Sequence, residues 1–173
     1  MQPQIVRYFP FQDCLPGEEI SLQRAHQLYS YRAVYFVAGM PSRSELWRRE
    51  DTGAYQIAKV TYYGRRWPDP DLVSEHLTRY GACPAEIITP LDVASEHELA
   101  KKTIWGIDPL GNFMGSEQHF MDPQEHVVRI DRYDSNGRLI GRVIYGYDKK
   151  DNINEIVEED GSGHEISRYH SED

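Results

Sequence analysis

Asp131-Arg132-Tyr133-Asp134-Ser135-Asn136-Gly137-Arg138-Leu139-Ile140-Gly141-Arg142-Val143 is the stretch that decides the fold reading. At its centre lies a turn, Asp134-Ser135-Asn136-Gly137. Asn and Gly both tolerate positive φ, so Asn136-Gly137 is the strongest hairpin signal in the chain. His126 to Tyr133 and Arg138 to Tyr147 then read as the two strands it joins. Toward the C-terminus the pattern continues. Asp148-Lys149-Lys150-Asp151-Asn152 and Asp160-Gly161-Ser162-Gly163 are turns, and Ile153 to Glu159 and His164 to Tyr169 are strands. Turn signals about every 12 residues are what successive hairpins give.

Tyr133-Asp134-Ser135-Asn136-Gly137-Arg138-Leu139 resembles one unit of the YD repeats in large RHS-type bacterial proteins. Tyr147-Asp148 through Asn152-Ile153 resembles a degenerate second copy that lacks the turn glycine. The resemblance covers about 20 of the 173 residues and implies a meander and no activity.

Working back toward the N-terminus, Thr103 to Ile107 and Phe113 to Phe120 are strands, with turns at Asp108 to Asn112 and Asp122-Pro123. Thr89-Pro90-Leu91-Asp92 opens a helix that runs to about Lys102, with Thr89 as cap and Pro90 in the first position. A second helix spans 69–81, capped by Asp69 and stopped by Gly81, with Leu72, Val73, His76, Leu77 and Tyr80 on one face. Glu18 to Tyr29 is a third helix, with Ile20, Leu22, Ala25, Leu28 and Tyr29 near helical spacing. A short strand, Ile5 to Phe11, precedes it. Three strands follow it, near Tyr31 to Val37, Arg43 to Arg49 and Tyr55 to Tyr63, with turns at Gly39-Met40-Pro41-Ser42 and Asp51-Thr52-Gly53.

The fold expected is therefore α+β: antiparallel meander sheet or sheets with about three short helices. Residues 1–173 are read as a single domain with pseudo-repeat halves 1–67 and 86–173, joined by the helix at 69–81. Each half would be a helix followed by a meander, offset by about 71 residues, as a duplication would leave them. Two curved sheets of this kind can close on each other's apolar faces.

Net charge is −9, and it is lopsided. Residues 1–86 hold ten basic and ten acidic residues, whereas residues 87–173 hold nine basic and eighteen acidic ones. From Asp151 to Asp173 there are eight acids against Arg168 alone. Such a surface repels nucleic acid and anionic lipid and attracts basic partners. The basic clusters, Arg48-Arg49 and Arg65-Arg66-Trp67, read as strand-edge and loop arginines that keep edges soluble. No apolar run approaches the roughly 20 residues of a membrane helix, and no signal peptide is visible, so a cytoplasmic protein is expected. Cys14 and Cys83 fit neither a disulfide framework nor a zinc spacing and are expected to be free thiols.

No motif carries a specific chemistry. The seven histidines make no H-E-x-x-H pair; His119 and His126 could meet across a hairpin but would supply only two ligands. There is no G-x-S-x-G and no phosphate loop. Neither metal nor other cofactor is expected. The functional expectation is a non-catalytic protein-binding module, in its sharpest form an acidic immunity or antitoxin-type protein that masks a basic partner. The residues expected to carry it are Asp151, Glu155, Glu158, Glu159, Asp160 and Glu165 on the terminal hairpin. The alternatives are a small hydrolase or lyase with a carboxylate and histidine cleft, or a β-barrel-like protein that holds an apolar ligand among its tyrosines.

Overall fold

The structure, a computed structural model, describes residues 4–10, 17–92 and 100–171. Of these residues 56% lie in strands and 10% in helices, which overturns the expected α+β balance. The described residues form eleven strands and two helices. These described residues divide into two compact units: unit 1 takes those up to Ile88 together with 107–112, and unit 2 takes those within 89–106 and from Phe113 onward.

In unit 1, β1 (Ile5–Pro10), β2 (Ser30–Val37), β3 (Met40–Arg49) and β4 (Tyr55–Tyr63) pair antiparallel in chain order. The β2–β3 turn is Ala38-Gly39, both at positive φ. This is the two-residue turn whose twist matches that of the strands. It therefore falls ahead of the expected Gly39 to Ser42, and β3 begins at Met40.

Between β1 and β2 the expected helix over Glu18 to Tyr29 shrinks to α1 (Leu22–Ala25), four residues capped by the Ser21 hydroxyl, which accepts the Arg24 N–H. The reason is competition from the sheet. Ile20 donates its N–H to Tyr8 O at 2.8 Å, and the Arg49 N–H takes Tyr29 O at 2.8 Å, so both ends of the segment are drawn into pairing. The apolar spacing still reports burial: Ala25 sits in a cluster with Tyr31 and Ala33, against which Ile20 and Leu28 pack.

The helix at 69–81 is present as α2 (Pro70–Tyr80) with the expected ends. Asp69 Oδ1 accepts the Leu72 N–H at 3.0 Å, and Gly81 stops the helix at φ 59°. It carries the chain to β5 (Ala85–Ile88), which pairs with β4 in parallel. That strand had no counterpart in the sequence reading, and it makes the pairing mixed rather than purely antiparallel.

The third expected helix does not form at its described ends. Thr89 Oγ1, the expected cap, accepts the Thr103 N–H instead, at 2.9 Å. Asp92 exchanges backbone bonds with Lys101 at 2.7 and 2.9 Å, and Ala100–Ile107 is a strand, β6. Strand pairing thus claims the backbone groups at both described ends of the expected helix. Residues 93–99 of this segment lie outside the described residues.

From β6 the chain is a meander: β7 (Phe113–Met121), β8 (Val127–Asp134), β9 (Leu139–Tyr147), β10 (Ile153–Asp160) and β11 (Glu165–His170). These strands follow one another in space in chain order. The five loops between them share one construction. In Asp108–Asn112, Asp122–His126, Asp134–Arg138, Asp148–Asn152 and Asp160–His164, the first N–H donates to the fifth carbonyl. The fourth N–H donates to the first carbonyl. The leading aspartate Oδ1 accepts the N–H of the third and fifth residues at 2.7–3.0 Å.

The fourth residue of each loop has positive φ. Gly111, Gly137 and Gly163 meet that demand without strain, but Glu125 at 67° and Asp151 at 63° do not. The missing glycine of the degenerate YD-like unit is Asp151. A left-handed non-glycine residue costs roughly 1–2 kcal/mol. Glu125→Gly and Asp151→Gly should therefore each stabilise the protein by about 1 kcal/mol in urea unfolding, less the entropy that glycine adds to the unfolded chain. No gain at either position would refute the shared-loop account.

Candidate functional site

Charged residues are buried in two places, and neither was singled out by the sequence reading. The first is in unit 1. Along β3, Arg43, Glu45 and Trp47 lie two apart and share one face, opposite Tyr35, Ala33 and Tyr31 of β2. Glu45 is only 3% exposed. Its Oε2 accepts from the Tyr35 hydroxyl at 2.7 Å and from Trp47 Nε1 at 3.2 Å. Its Oε1 accepts from the Tyr80 hydroxyl of α2 at 2.6 Å. Arg43 Nη2 stands 3.4 Å from the same oxygen, and its guanidinium lies over the Tyr35 ring at 3.9 Å.

Beside this centre, His76 of α2 is buried with both ring nitrogens engaged, by the Tyr62 hydroxyl at 2.9 Å and Cys83 O at 2.7 Å. Cys83 is a buried free thiol, pushed up by burial and then by the Glu45 charge; Cys14 lies outside the described residues. Burial pushes the phenols of Tyr31 and Tyr62 up to about 12. Burial, together with the hydrogen bond to ionised Glu45, drives Tyr80 higher still.

Every oxygen of Glu45 is thus occupied by groups that join β2, β3 and α2. That makes the centre a strut with no atom free to react. Removing the carboxylate would leave a buried arginine and three donors unpaired. Glu45→Ala should cost about 3–5 kcal/mol in chemical denaturation; a loss under about 1 kcal/mol would contradict the strut. The sign for the phenols is also fixed. Their folded values exceed the unfolded value near 10, so their contribution is whole below pH 10 and is lost as pH rises toward 12. Absorbance at 295 nm should show these tyrosines ionising together with alkaline unfolding rather than before it.

The second place is unit 2, where β8, β9 and β10 carry a ladder of charges on one face. Asp131, 4% exposed, accepts from Arg142 Nε at 2.7 Å and stands 3.3 Å from Arg129 Nε. Arg142 reaches on to Glu159 at 3.2 Å.

This ladder leads to the expected acidic residues. Glu159 is held by Arg142. Glu155 and Glu165 both grip Arg168, Glu165 at 2.7 Å, so two carboxylates share one cation. Glu158 accepts from the Ser167 hydroxyl at 3.0 Å. Asp151 is exposed in the β9–β10 loop, 4.0 Å from His126 Nε2. Asp160 is the leading aspartate of its loop; the Ser162 hydroxyl and the His164 and Ser162 amides lower its carboxyl to about 2.

The six residues therefore stay on one hairpin and its entry loop but do different work. Asp160 builds the turn, Glu155, Glu159 and Glu165 are ion-paired, and Asp151 and Glu158 have no arginine partner among the described residues. His119 and His126 are each held by a neighbouring carboxylate: His119 bonds Glu117 at 3.0 Å and His126 bonds Asp122 at 3.2 Å. No group of three or more histidine, cysteine or carboxylate side chains among the described residues is placed to hold a metal ion.

β11 is last in the strand order, and all six of its residues are exposed. Two are large and apolar, Ile166 at 68% and Tyr169 at 58% exposure. No helix among the described residues is long and apolar enough to cross a membrane.

These features define a hairpin-rich β protein in which β11 closes the strand order with every residue exposed. No family model matches the chain, and no curated protein matches it. It is similar to the crystal structure of a DUF1329 family protein from Desulfovibrio piger ATCC 29098, at 10% identity over 83% of this chain, with a TM-score of 0.30. The chain spans 65% of that protein's length.

Proposed function

We propose that this chain is a non-catalytic protein-binding module whose terminal hairpin, β10–β11, docks a basic protein and masks it in the manner of an acidic immunity protein. The observation that carries this reading is the exposed terminal strand with Ile166 and Tyr169 on it. An unpaired strand edge beside apolar side chains is a standing invitation to a partner.

Charge supplies the direction. Glu155 and Glu165 share Arg168, and Glu158 and Asp151 have no arginine, so the hairpin keeps a negative surplus. Such a surplus steers basic partners and raises association rates more than affinity. A cytoplasmic setting belongs to the same proposal; the buried free thiol of Cys83 fits a reducing compartment.

Fluorescence anisotropy with labelled decalysine at low salt tests the charge reading. Reversal of Asp151 and Glu158 together to Lys should weaken binding about fivefold or more and leave the protein folded, because neither holds the hairpin through an ion pair to arginine. Added salt should weaken the wild type more than the double variant. Asp160 is a poor choice for this test, since its carboxylate builds the loop. Equal affinity of the wild type and the double variant would remove the proposal's electrostatic support.

A further inference from the structure

The hydrogen bonds at the two ends of β11 fix which of its backbone groups face outward. At one end the Ser171 N–H donates to Asn154 O at 2.9 Å, which makes 154 and 171 a bonded pair. Bonded and non-bonded pairs alternate along an antiparallel ladder. With the register Glu155 to His170, Ile156 to Tyr169, Val157 to Arg168 and Glu158 to Ser167, Tyr169 and Ser167 therefore bond inward to β10. Arg168 and His170 turn their N–H and C=O outward.

At the other end the Asp160 N–H donates to His164 O, so the next pair, Glu159 and Glu165, is again non-bonded and Glu165 faces outward. The two counts disagree by one residue, and the bulge at Ile166, between the Glu158–Ser167 and Glu159–Glu165 pairs, absorbs the difference.

Backbone direction and side-chain face go together in a strand. The outward-facing residues Glu165, Arg168 and His170 share one face of the sheet. The Arg168 contacts to Glu165 and to Glu155 agree with that placement. Ser167 and Tyr169 lie on the other face, where Tyr145, Ile156 and Tyr169 form one cross-strand row. The edge is thus two-faced: Glu155 and Glu165 gather around Arg168 on one side, and the Tyr145–Ile156–Tyr169 row, with Glu158 beside it, lies on the other.

We infer that the partner enters as an added β-strand along β11, bonded to the backbone of Arg168 and His170, with basic residues on one face and apolar residues on the other. This rests on the binding reading above and deepens it by naming the occupant: an amphipathic basic strand whose residues alternate. Alternation is required because neighbouring strand residues point to opposite faces. The basic side chains meet the surplus left by Glu155 and Glu165, and the apolar ones extend the Tyr145–Ile156–Tyr169 row. Strand addition of this type draws affinity from main-chain bonds and specificity from alternate side chains.

Two peptides of one composition test it: acetyl-KVKVKVK-amide, which alternates, and acetyl-KKVVVKK-amide, which does not. Anisotropy should show the alternating peptide binding about tenfold more tightly, roughly 1.4 kcal/mol. His170→Pro removes an outward N–H and no bond to β10, and proline is tolerated on an edge in that position. It should leave the melting temperature unchanged and reduce acetyl-KVKVKVK-amide to the affinity of acetyl-KKVVVKK-amide, whereas His170→Ala should not. Tyr169→Ser should weaken the alternating peptide and leave decalysine binding as it was, a second reading should His170→Pro disturb folding. If the two peptides bind alike, or His170→Pro binds the alternating one as the wild type does, strand addition is wrong. Decalysine binding that still responds to the Asp151 and Glu158 reversal would then leave the broader reading standing; decalysine binding indifferent to it would sink both.

Discussion

One interaction recurs through the second half of the chain and sets its register: an aspartate carboxylate accepting two amides of its own loop. Asp108, Asp122, Asp134, Asp148 and Asp160 each do so. In a strand a slip of one residue moves every side chain to the opposite face. A loop that closes in only one way removes that freedom. The ladder of Arg129, Asp131, Arg142 and Glu159 exists because these loops hold their strands in step. The two faces of β11 exist for the same reason. Ionised carboxylates are the stronger acceptors, so these loops hold best with their aspartates charged. The lowered value of Asp160, about 2, keeps its loop closed well below the ordinary carboxylate range. That contribution is present above the unfolded value and is lost as pH falls toward 2.

The rest of unit 1, apart from its Asp108–Asn112 loop, answers the same need by other means. Its β2–β3 turn is tight, its β4–β5 connection is a helix, and its centre is the Glu45 carboxylate, tied to Tyr35, Trp47 and Tyr80. A charge this deep is tolerated only with every lone pair engaged and a counter-ion near. Tyr80 reaches it from the last turn of α2, so the helix is bound to the strands by a polar contact in addition to Leu72 and His76. The two units thus rest on the same chemistry, carboxylates saturated by donors. One is buried among aromatic rings and the others are clamped in exposed turns.

How much of this was legible in the sequence follows from how local the deciding forces are. The hairpins after Thr103 could be read because Asp, Asn and Gly at fixed offsets are local signals. The helix at 69–81 could be read because its cap, its proline and its stop are local too. The helix signals over Glu18 to Tyr29 and at the described ends of Thr89 to Lys102 misled because tertiary pairing overrode them: Ile20 was claimed by Tyr8 and Asp92 by Lys101. Strand β5 was missed because four residues after a proline carry almost no periodicity. Glu45 was missed because a strand glutamate looks solvent-facing until its neighbours are known. The alternation of Arg43, Glu45 and Trp47 opposite Tyr35 was the available signal. For the terminal hairpin the acids were visible, but their division into turn-building, ion-paired and arginine-free residues depended on Arg142 and Arg168 reaching across strands.

The open edge of β11 is where fold and function meet, and amide hydrogen exchange followed by NMR examines it most directly. In the free protein the amides of Arg168 and His170 should exchange quickly while those of Ser167 and Tyr169, bonded to β10, are protected. Saturating acetyl-KVKVKVK-amide should slow Arg168 and His170 and leave Ser167 and Tyr169 as they were. Arg168 and His170 amides already protected in the free protein, or unchanged by the peptide, would contradict the account.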